Sequence, residues 1–389
     1  MKNNNPLLTS SYDFTLPSEL IATHPASPRD HAKLLVYNRQ TNEITHTYFY
    51  DFEKYIPKEC ALIFNDTKVI KARLFGFKAS GGKIELLINR ALNANDINVY
   101  IRGKVKVGTE VAFNENVVAK IVKLNEDGSR IVNFYNSKAP NSIDKVSSFS
   151  SSKTSKTSSS QDTKISNSQD TKTSSSQAPA WELMEKLRFE ELLPIIEIIG
   201  HIPLPPYIQR EDNKEDANEY QSVFAKEEGA VAAPTASLHF TDEQHKRVCQ
   251  NFKHAYVTLH VGSGTFKPVD ADIITQHPMH SEYYAISDEA KEILDSQTPV
   301  LCVGTTSTRT VEFYDKHGKI QSGEANLFLH PQNRPSRVNH LLTNFHLPKS
   351  TLLMLVASFV GLEKTQELYA EAIKEKYRFY SYGDAMLIL

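Results

Sequence analysis

Among the histidines in the second half of the chain, His239, His260, His277, His280 and His346 gather near glycine-rich or small-residue stretches. Imidazole titrates near neutral pH, so side chains of this type suit general acid and base chemistry. A lone strand histidine such as His260 serves equally well as a hydrogen-bonded core or rim residue. Their spacing does not describe a zinc site: His277 and His280 flank Pro278, no third ligand is near, and no metal is expected. Asp66, Glu282 and Asp384 are the carboxylates available as partners. Asp66 follows an apolar run, at the end of a strand, where α/β sheets carry functional carboxylates. An Asx-turn cap is the alternative reading of the same residue.

Two junctions offer backbone rather than side chains. In YVTLHVGSGTF a strand pattern ends on Gly262-Ser263-Gly264-Thr265, where absent side chains let backbone amides approach a ligand. In PVLCVGTTSTRTVEF the segment from Gly304 to Thr308 turns a strand into a helix with Arg309 in its first turn. Such a helix N-terminus suits an anion or a carboxylate. Neither junction matches a dinucleotide fingerprint or a Walker loop, and a plain strand-to-helix turn has the same composition. TNFHLPKSTLLML places Asn344 and His346 just before a further helix, predicted to start at Pro348-Lys349-Ser350. Residues 229–241, GAVAAPTASLHFT, string small side chains around Pro234 and close on Leu238-His239-Phe240. A run with so little to bury or to solvate implies tight backbone packing or a ligand against it.

The elements that must carry these residues sort into two patterns. Between Ala61 and Tyr135 the chain reads as short strands: ALIFNDTKVIKARLFGF, KIELLI after the turn Ser80-Gly81-Gly82, then INVYIRG, TEVAF, VVAKIV and RIVNFY. Strands so closely spaced, without helical period, predict a small barrel or sandwich. Later, the strands AYVTLHV and PVLCV alternate with the helices DEQHKRVCQNF and SDEAKEILDS, the second capped by Ser287. The predicted fold class is α/β: an α/β main domain carrying an inserted all-β, barrel-like domain. The expected boundaries are 1–65 and 200–389 for the α/β part and 66–199 for the insertion. Residues 147–177 hold 14 serines and 5 threonines, too polar to offset their ordering entropy, and are expected to be a disordered loop expansion.

Composition limits the partners. Forty-four basic against 46 acidic residues give a net charge of −2, so the whole chain is not a polycation for nucleic acid. Between Asp66 and Lys106, however, nine basic residues face three acidic ones, which makes the β region the candidate surface for a phosphate backbone. An ordinary lysine-rich strand edge has the same composition. Cys60, Cys249 and Cys302 are far apart and read as reduced structural thiols. The N-terminus lacks the apolar stretch of a signal peptide, and Thr351–Gly361 is about half the length that crosses a bilayer, so a cytoplasmic protein away from membranes is expected.

Nine stretches together resemble one family, the S-adenosylmethionine:tRNA ribosyltransferase-isomerases of queuosine biosynthesis. They are YDFTLPSELIATHPASPRDHAKLLV, LIFNDTKVIKARL, GHIPLPPYIQRED, YQSVFAKEEGAVAAPTASLHFT, TLHVGSGTFKPV, MHSEYYAIS, VGTTSTRTVE, LLTNFHLPKSTLLMLV and YRFYSYGDAMLI. They run from one end of the chain to the other in the family's order. The resemblance implies an α/β domain with an inserted β-barrel. It also implies transfer of the ribosyl carbons of S-adenosylmethionine, used as co-substrate with no bound cofactor, to the aminomethyl group of 7-aminomethyl-7-deazaguanine at the tRNA wobble position. Adenine and methionine leave, and the product is epoxyqueuosine.

A sulfonium beside the ribose C5′ acidifies its hydrogens, adenine leaves more easily when protonated, and the incoming amine must be neutral; each step asks for an acid or a base. On this resemblance His239, His260, Glu282 and His346 are the acid–base candidates. Asp66, Gly262, Gly264, Thr305 and Thr306 are assigned to the donor pocket, and Arg73 and Arg210 to tRNA phosphates. The expected partners are tRNA and S-adenosylmethionine, with the protein acting as a monomer. Residues 329–340 depart from the family pattern, and nothing is carried over to them. A methyltransferase, releasing S-adenosylhomocysteine, and a non-catalytic tRNA-binding protein are the competing readings.

Overall fold

A computed structural model describes residues 5–114, 116–137, 184–262, 264 and 269–389; the serine-rich stretch, Ser263 and Thr265 lie outside the described residues. The chain opens into β1 (Lys33–Asn38), β2 (Glu43–Tyr48), β3 (Ala61–Asn65) and a short β4 (Thr67–Val69). It then leaves the main sheet for β5 (Arg73–Lys78), β6 (Lys83–Ala91), β7 (Ile97–Arg102), β8 (Glu110–Ala112), β9 (Val117–Leu124), β10 (Arg130–Ser137) and β11 (Met184–Lys186). All pairings among these strands are antiparallel. Because β10 pairs with both β7 and β9, six strands close into a barrel in the order β10-β7-β6-β5-β8-β9, with β11 added outside. Closure removes the free edges that such short strands would otherwise expose.

Side-chain alternation fills the barrel. Ile84, Leu86 and Ile88 of β6 point inward with Ile97, Val99, Val111, Ile121 and Phe134, while Glu85, Leu87 and Asn89 point out. Helix α1 (Phe189–Ile199) adds Leu192 and Ile196 to the same core.

The chain returns through α2 (Asp216–Glu219) and β12 (Glu227–Ala230) to α3 (Asp242–Asn251), β13 (His254–Leu259), β14 (Glu282–Ile286), α4 (Asp288–Asp295) and β15 (Val300–Val303). It finishes with α5 (Thr305–Lys316), β16 (Ser322–Ala325), β17 (His340–Asn344), α6 (Thr351–Val360), α7 (Leu362–Lys374) and β18 (Ala385–Ile388). Nine strands form the main sheet in the order β16-β14-β13-β3-β15-β17-β18-β1-β2. The central four, β13, β3, β15 and β17, are mutually parallel. Covered on both faces, β3 is apolar except at its last residue and wholly buried. Ala61 and Ile63 face one core layer, Leu62 and Phe64 the other. Full burial of side chains this size contributes about 1.5–3 kcal/mol each. The architecture is therefore α/β with an inserted barrel, joined at a two-stranded parallel ladder of β4 and β12.

The helix starts follow local chemistry. Thr241, Ser287 and Ser350 each accept a hydrogen bond from the backbone N–H three residues on and cap α3, α4 and α6. TLLMLVASFV is the buried helix α6, and among the described residues no helix is long and apolar enough to cross a membrane.

Candidate active site

The carboxyl ends of the four parallel strands converge, which is where open α/β sheets bind ligands. Asn65 ends β3 with its side chain fully buried and all its amide groups used. Its Nδ2 donates to the Leu259 carbonyl at 3.1 Å and to Thr306 Oγ1 at 3.1 Å, while Oδ1 accepts from the amides of Leu259 at 3.0 Å and Thr67 at 3.2 Å. One side chain thus ties β3, β13 and the start of α5 together. Asp66, the residue singled out from sequence, turns the other way and accepts a hydrogen bond from Thr258 Oγ1 at 2.7 Å. Burial raises its pKa and the Thr258 hydroxyl partly opposes that rise. Asp66 is absent from the walls of the cleft described next.

That cleft has two compartments. The narrow one, about 770 Å³ out to its mouth, is walled by Ala232, Ala233, Pro234 and Ala236, by Thr305 and Thr306 at the start of α5, and by Asn344 and His346 after β17. The run of small residues is therefore one wall of a cavity. Gly304 precedes α5 at φ 96°, a left-handed conformation that glycine adopts without a Cβ clash. Tyr380 also lines this compartment, at φ 74°, a costly backbone for a bulky residue. It is held by a hydrogen bond from its amide to the Phe345 carbonyl at 3.0 Å and by Tyr207, whose ring centroid lies 4.4 Å from its own.

The wide compartment, about 1580 Å³, is shared between the main sheet and the barrel. His260, Gly262, Gly264, His280 and Glu282 stand on one side, with Asn89, Arg90 and Tyr100 of the barrel opposite. Arg309 and Leu352 border both compartments, making them one continuous cleft.

Glu282 and Arg309 form a buried ion pair at that border, with side chains 7% and 9% exposed. Glu282 Oε1 accepts from the Gly262 amide at 2.9 Å, and Arg309 Nε donates to the Leu327 carbonyl at 3.2 Å. Among the described residues Arg309 Nη2 has no hydrogen-bond partner. Arg309 is the fifth residue of α5, one turn further in than the sequence suggested. A buried guanidinium needs a carboxylate, and no local feature of the sequence pairs Arg309 with Glu282.

His260 follows β13, and its amide still bonds the Tyr283 carbonyl at 3.0 Å. Its Nδ1 lies 2.8 Å from Thr67 Oγ1, and its ring stacks on Tyr283 with centroids 5.6 Å apart. Gly229, at φ 151°, approaches so closely that a Cβ there would sit 2.8 Å from His260 Nε2. Burial lowers the His260 pKa, and Glu227 works against the shift. His346 lines the narrow compartment with Nε2 2.7 Å from Thr343 Oγ1; burial holds its pKa down at about 3. His239 ends a short 3-10 helix, Thr235–His239, that presents Thr235 and Ala236 to the cleft and turns His239 onto Phe49, centroids 5.0 Å apart. Burial and the charges of Arg378 and Arg29 hold its pKa at about 3. Asn344 lies beside it, yet among the described residues neither His239 Nε2 nor Asn344 Oδ1 has a hydrogen-bond partner. His239 lines neither compartment.

Gly264 borders the wide compartment, and a Cβ on it would sit 2.7 Å from the His280 ring. Among the described residues no group of three His, Cys, Asp or Glu side chains is placed to hold a metal. Arg73 and Arg210 lie together in a separate groove beside the barrel. Both are committed internally: Arg73 to Glu85 at 2.8 Å, and Arg210 to the buried Asp216 at 2.6 and 2.7 Å. The divergent stretch 329–340 borders neither compartment. It is anchored from behind by Glu312, whose carboxylate accepts from the amides of Ser336, Arg337 and Val338 at 2.7–2.8 Å.

Residues 9–388 match the family model described as queuosine biosynthesis protein. The chain is 65% identical to the S-adenosylmethionine:tRNA ribosyltransferase-isomerase of Sulfurimonas denitrificans over the full length of both. It is 52% identical to the protein of the same name from Nitratiruptor, over 99% of each chain. It is also similar to the crystal structure of an S-adenosylmethionine tRNA ribosyltransferase from Thermotoga maritima, at 28% identity, 97% coverage of this chain and 100% of that one, with a TM-score of 0.48. With a family model spanning nearly every residue and relatives matched from end to end, this chain belongs to the queuosine biosynthesis protein family.

Proposed function

We infer that this protein transfers and isomerises the ribosyl moiety of S-adenosylmethionine onto 7-aminomethyl-7-deazaguanine at the tRNA wobble position, giving epoxyqueuosine and releasing adenine and methionine. The observation that carries the reading on the structural side is the continuous two-compartment cleft, with Glu282 and Arg309 at the border. A reaction that joins a small donor to a macromolecular acceptor is served by two chambers that meet where the new bond forms.

In this reading the narrow compartment takes the donor. Thr305 and Thr306 present the start of α5 to its carboxylate, and the alanine wall and the Tyr207–Tyr380 pair accept its flat base. The wide compartment takes the tRNA base, with Gly262 and Gly264 keeping one wall low. His260 is the strongest candidate for moving a proton, because burial favours its neutral form, Thr67 fixes it and it opens to the cleft. Glu282, paired with Arg309, acts beside it, its carboxylate facing the developing positive charge. His346 stays neutral and shapes the donor side; His239 and Asp66 support the walls from behind. The protein works as a cytoplasmic monomer with no resident cofactor, S-adenosylmethionine being consumed.

The test is incubation with S-adenosylmethionine and tRNA bearing the aminomethyl deazaguanine, followed by nucleoside mass analysis. Epoxyqueuosine with stoichiometric adenine and methionine is expected. Release of S-adenosylhomocysteine would instead identify a methyltransferase, and tRNA binding without donor consumption a non-catalytic binder.

A further inference from the structure

The outer face of the β5-β6-β7 ribbon carries a strip of side chains that only at its lower end reaches the cleft. The register sets Phe77 against Lys83, Phe75 against Glu85, and Arg73 against Leu87; across β6, Glu85 meets Arg102 and Leu87 meets Tyr100. The strip runs from Phe77 at the hairpin end down to Tyr100 and Asn89, which line the wide compartment. Among the described residues the only exposed phenylalanines are these two, Phe75 at 46% and Phe77 at 52%. Exposed aromatic rings side by side on a strand give up the burial energy that this residue type normally gains in a core.

Charge surrounds the rings. Lys83, Lys104 and Lys106 are exposed and make no ion pair among the described residues. Glu85, the carboxylate on the strip, is matched by both Arg73 at 2.8 Å and Arg102 at 3.3 Å, so the strip stays cationic. Arg73 covers one face of Phe75, its guanidinium 5.3 Å from the ring centroid, and His201 packs on its edge; Phe77 stands opposite Lys83, with Lys104 and Lys106 just beyond the end of β7. Exposed rings beside unpaired lysines suit single-stranded nucleic acid, bases stacking on the rings while phosphates meet the lysines.

We propose that Phe75 and Phe77 stack unpaired bases of the tRNA loop while Lys83, Lys104 and Lys106 hold the adjoining phosphates, so that the strip guides the loop to the wide compartment. This rests on the proposed function for the identity of the RNA and adds the residues that grip it. It also moves the phosphate contacts away from Arg73 and Arg210, whose guanidiniums already serve Glu85 and Asp216.

Binding of a labelled anticodon stem-loop, followed by fluorescence anisotropy at several salt concentrations, tests it independently of turnover. The double variant Phe75→Leu/Phe77→Leu keeps apolar bulk but removes the π faces, and is expected to weaken binding about 5- to 150-fold per lost base contact. Phe75→Tyr/Phe77→Tyr is expected to keep wild-type affinity, and that rescue separates stacking from a folding defect. Lys83→Gln/Lys104→Gln should flatten the slope of log affinity against log salt by about 0.7 per lost phosphate contact. The KM for S-adenosylmethionine should stay unchanged in all three. Leucine variants that bind the stem-loop within twofold of wild type overturn the proposal, as does a change in oligomeric state with RNA affinity intact, which would give the face to a second copy of the chain. A wild-type protein that binds the stem-loop through this strip but releases no adenine would overturn the reaction and leave the strip standing.

Discussion

The narrow compartment is walled by one sheet, its strand ends locked by Asn65 and by the start of α5, whereas the wide compartment is assembled from two sheets that meet through the β4–β12 ladder. In the first, position is set by buried hydrogen bonds and by residues too small to move. In the second it depends on long side chains reaching across from separate cores. The pairing suits the chemistry: a small donor is best met by a preorganised wall, and a macromolecular acceptor by a surface that opens outward.

Breaking the border between them should have the largest effect. Glu282→Ala leaves Arg309 buried without a counter-ion, and a loss of about 3–5 kcal/mol in denaturant unfolding is expected, with adenine release abolished. The double variant Glu282→Ala/Arg309→Met should recover much of that stability without recovering turnover. A single variant as stable as wild type would show that the ion pair does not join the two compartments.

The next effect is acid sensitivity, concentrated around the donor side. His239 and His346 are held neutral with pKa near 3, while in the unfolded chain each titrates near 6.5. The unfolded state therefore binds more protons below pH 6.5, and stability is present above that pH and lost as it falls. The cost is about 2 kcal/mol for each ring between pH 7 and pH 5. Urea unfolding at the two pH values measures it, and His346→Phe should flatten the dependence more than His260→Gln, because His260 is less buried.

Asn65→Ala should come third. It strands the Leu259 and Thr67 amides in a dry interior, at about 1–3 kcal/mol. The KM for S-adenosylmethionine should rise while that for tRNA moves little; Asp66→Asn should change neither by more than about twofold. An equal response to both substitutions would mean that Asn65 does not organise the narrow compartment. Last is Gly229→Ala, at about 1–3 kcal/mol, since it puts a Cβ on a backbone that only glycine adopts easily. Its new Cβ presses on the His260 ring, so turnover should fall about tenfold with both KM values preserved. Steady-state kinetics would decide, and unaltered kcat would remove His260 from the proton-transfer role.

Much of the architecture was legible in the residues. Short alternating strands from Arg73 to Ser137 announced a barrel because inward and outward positions differ in polarity at every second residue. Gly304 and the threonines after it announced a helix N-terminus because few other compositions make that turn. The choice between Asn65 and Asp66 was not legible. Neighbouring residues at a strand end point to opposite faces, and which face becomes the cleft depends on what packs against it. His239 failed for a similar reason: a short 3-10 turn rotates it from the alanine wall onto Phe49.

By itself the sequence determined the family, the reaction class and the order of elements, since these reside in local patterns that survive without neighbours. Only the tertiary structure decided which groups share a cavity. It gave Arg309 to Glu282, committed Arg73 and Arg210 to their own carboxylates, and left Phe75 and Phe77 in solvent. Asn65 meets Leu259 and Thr306, 194 and 241 positions away, because sheet order brings those strand ends together, and no local spacing records that.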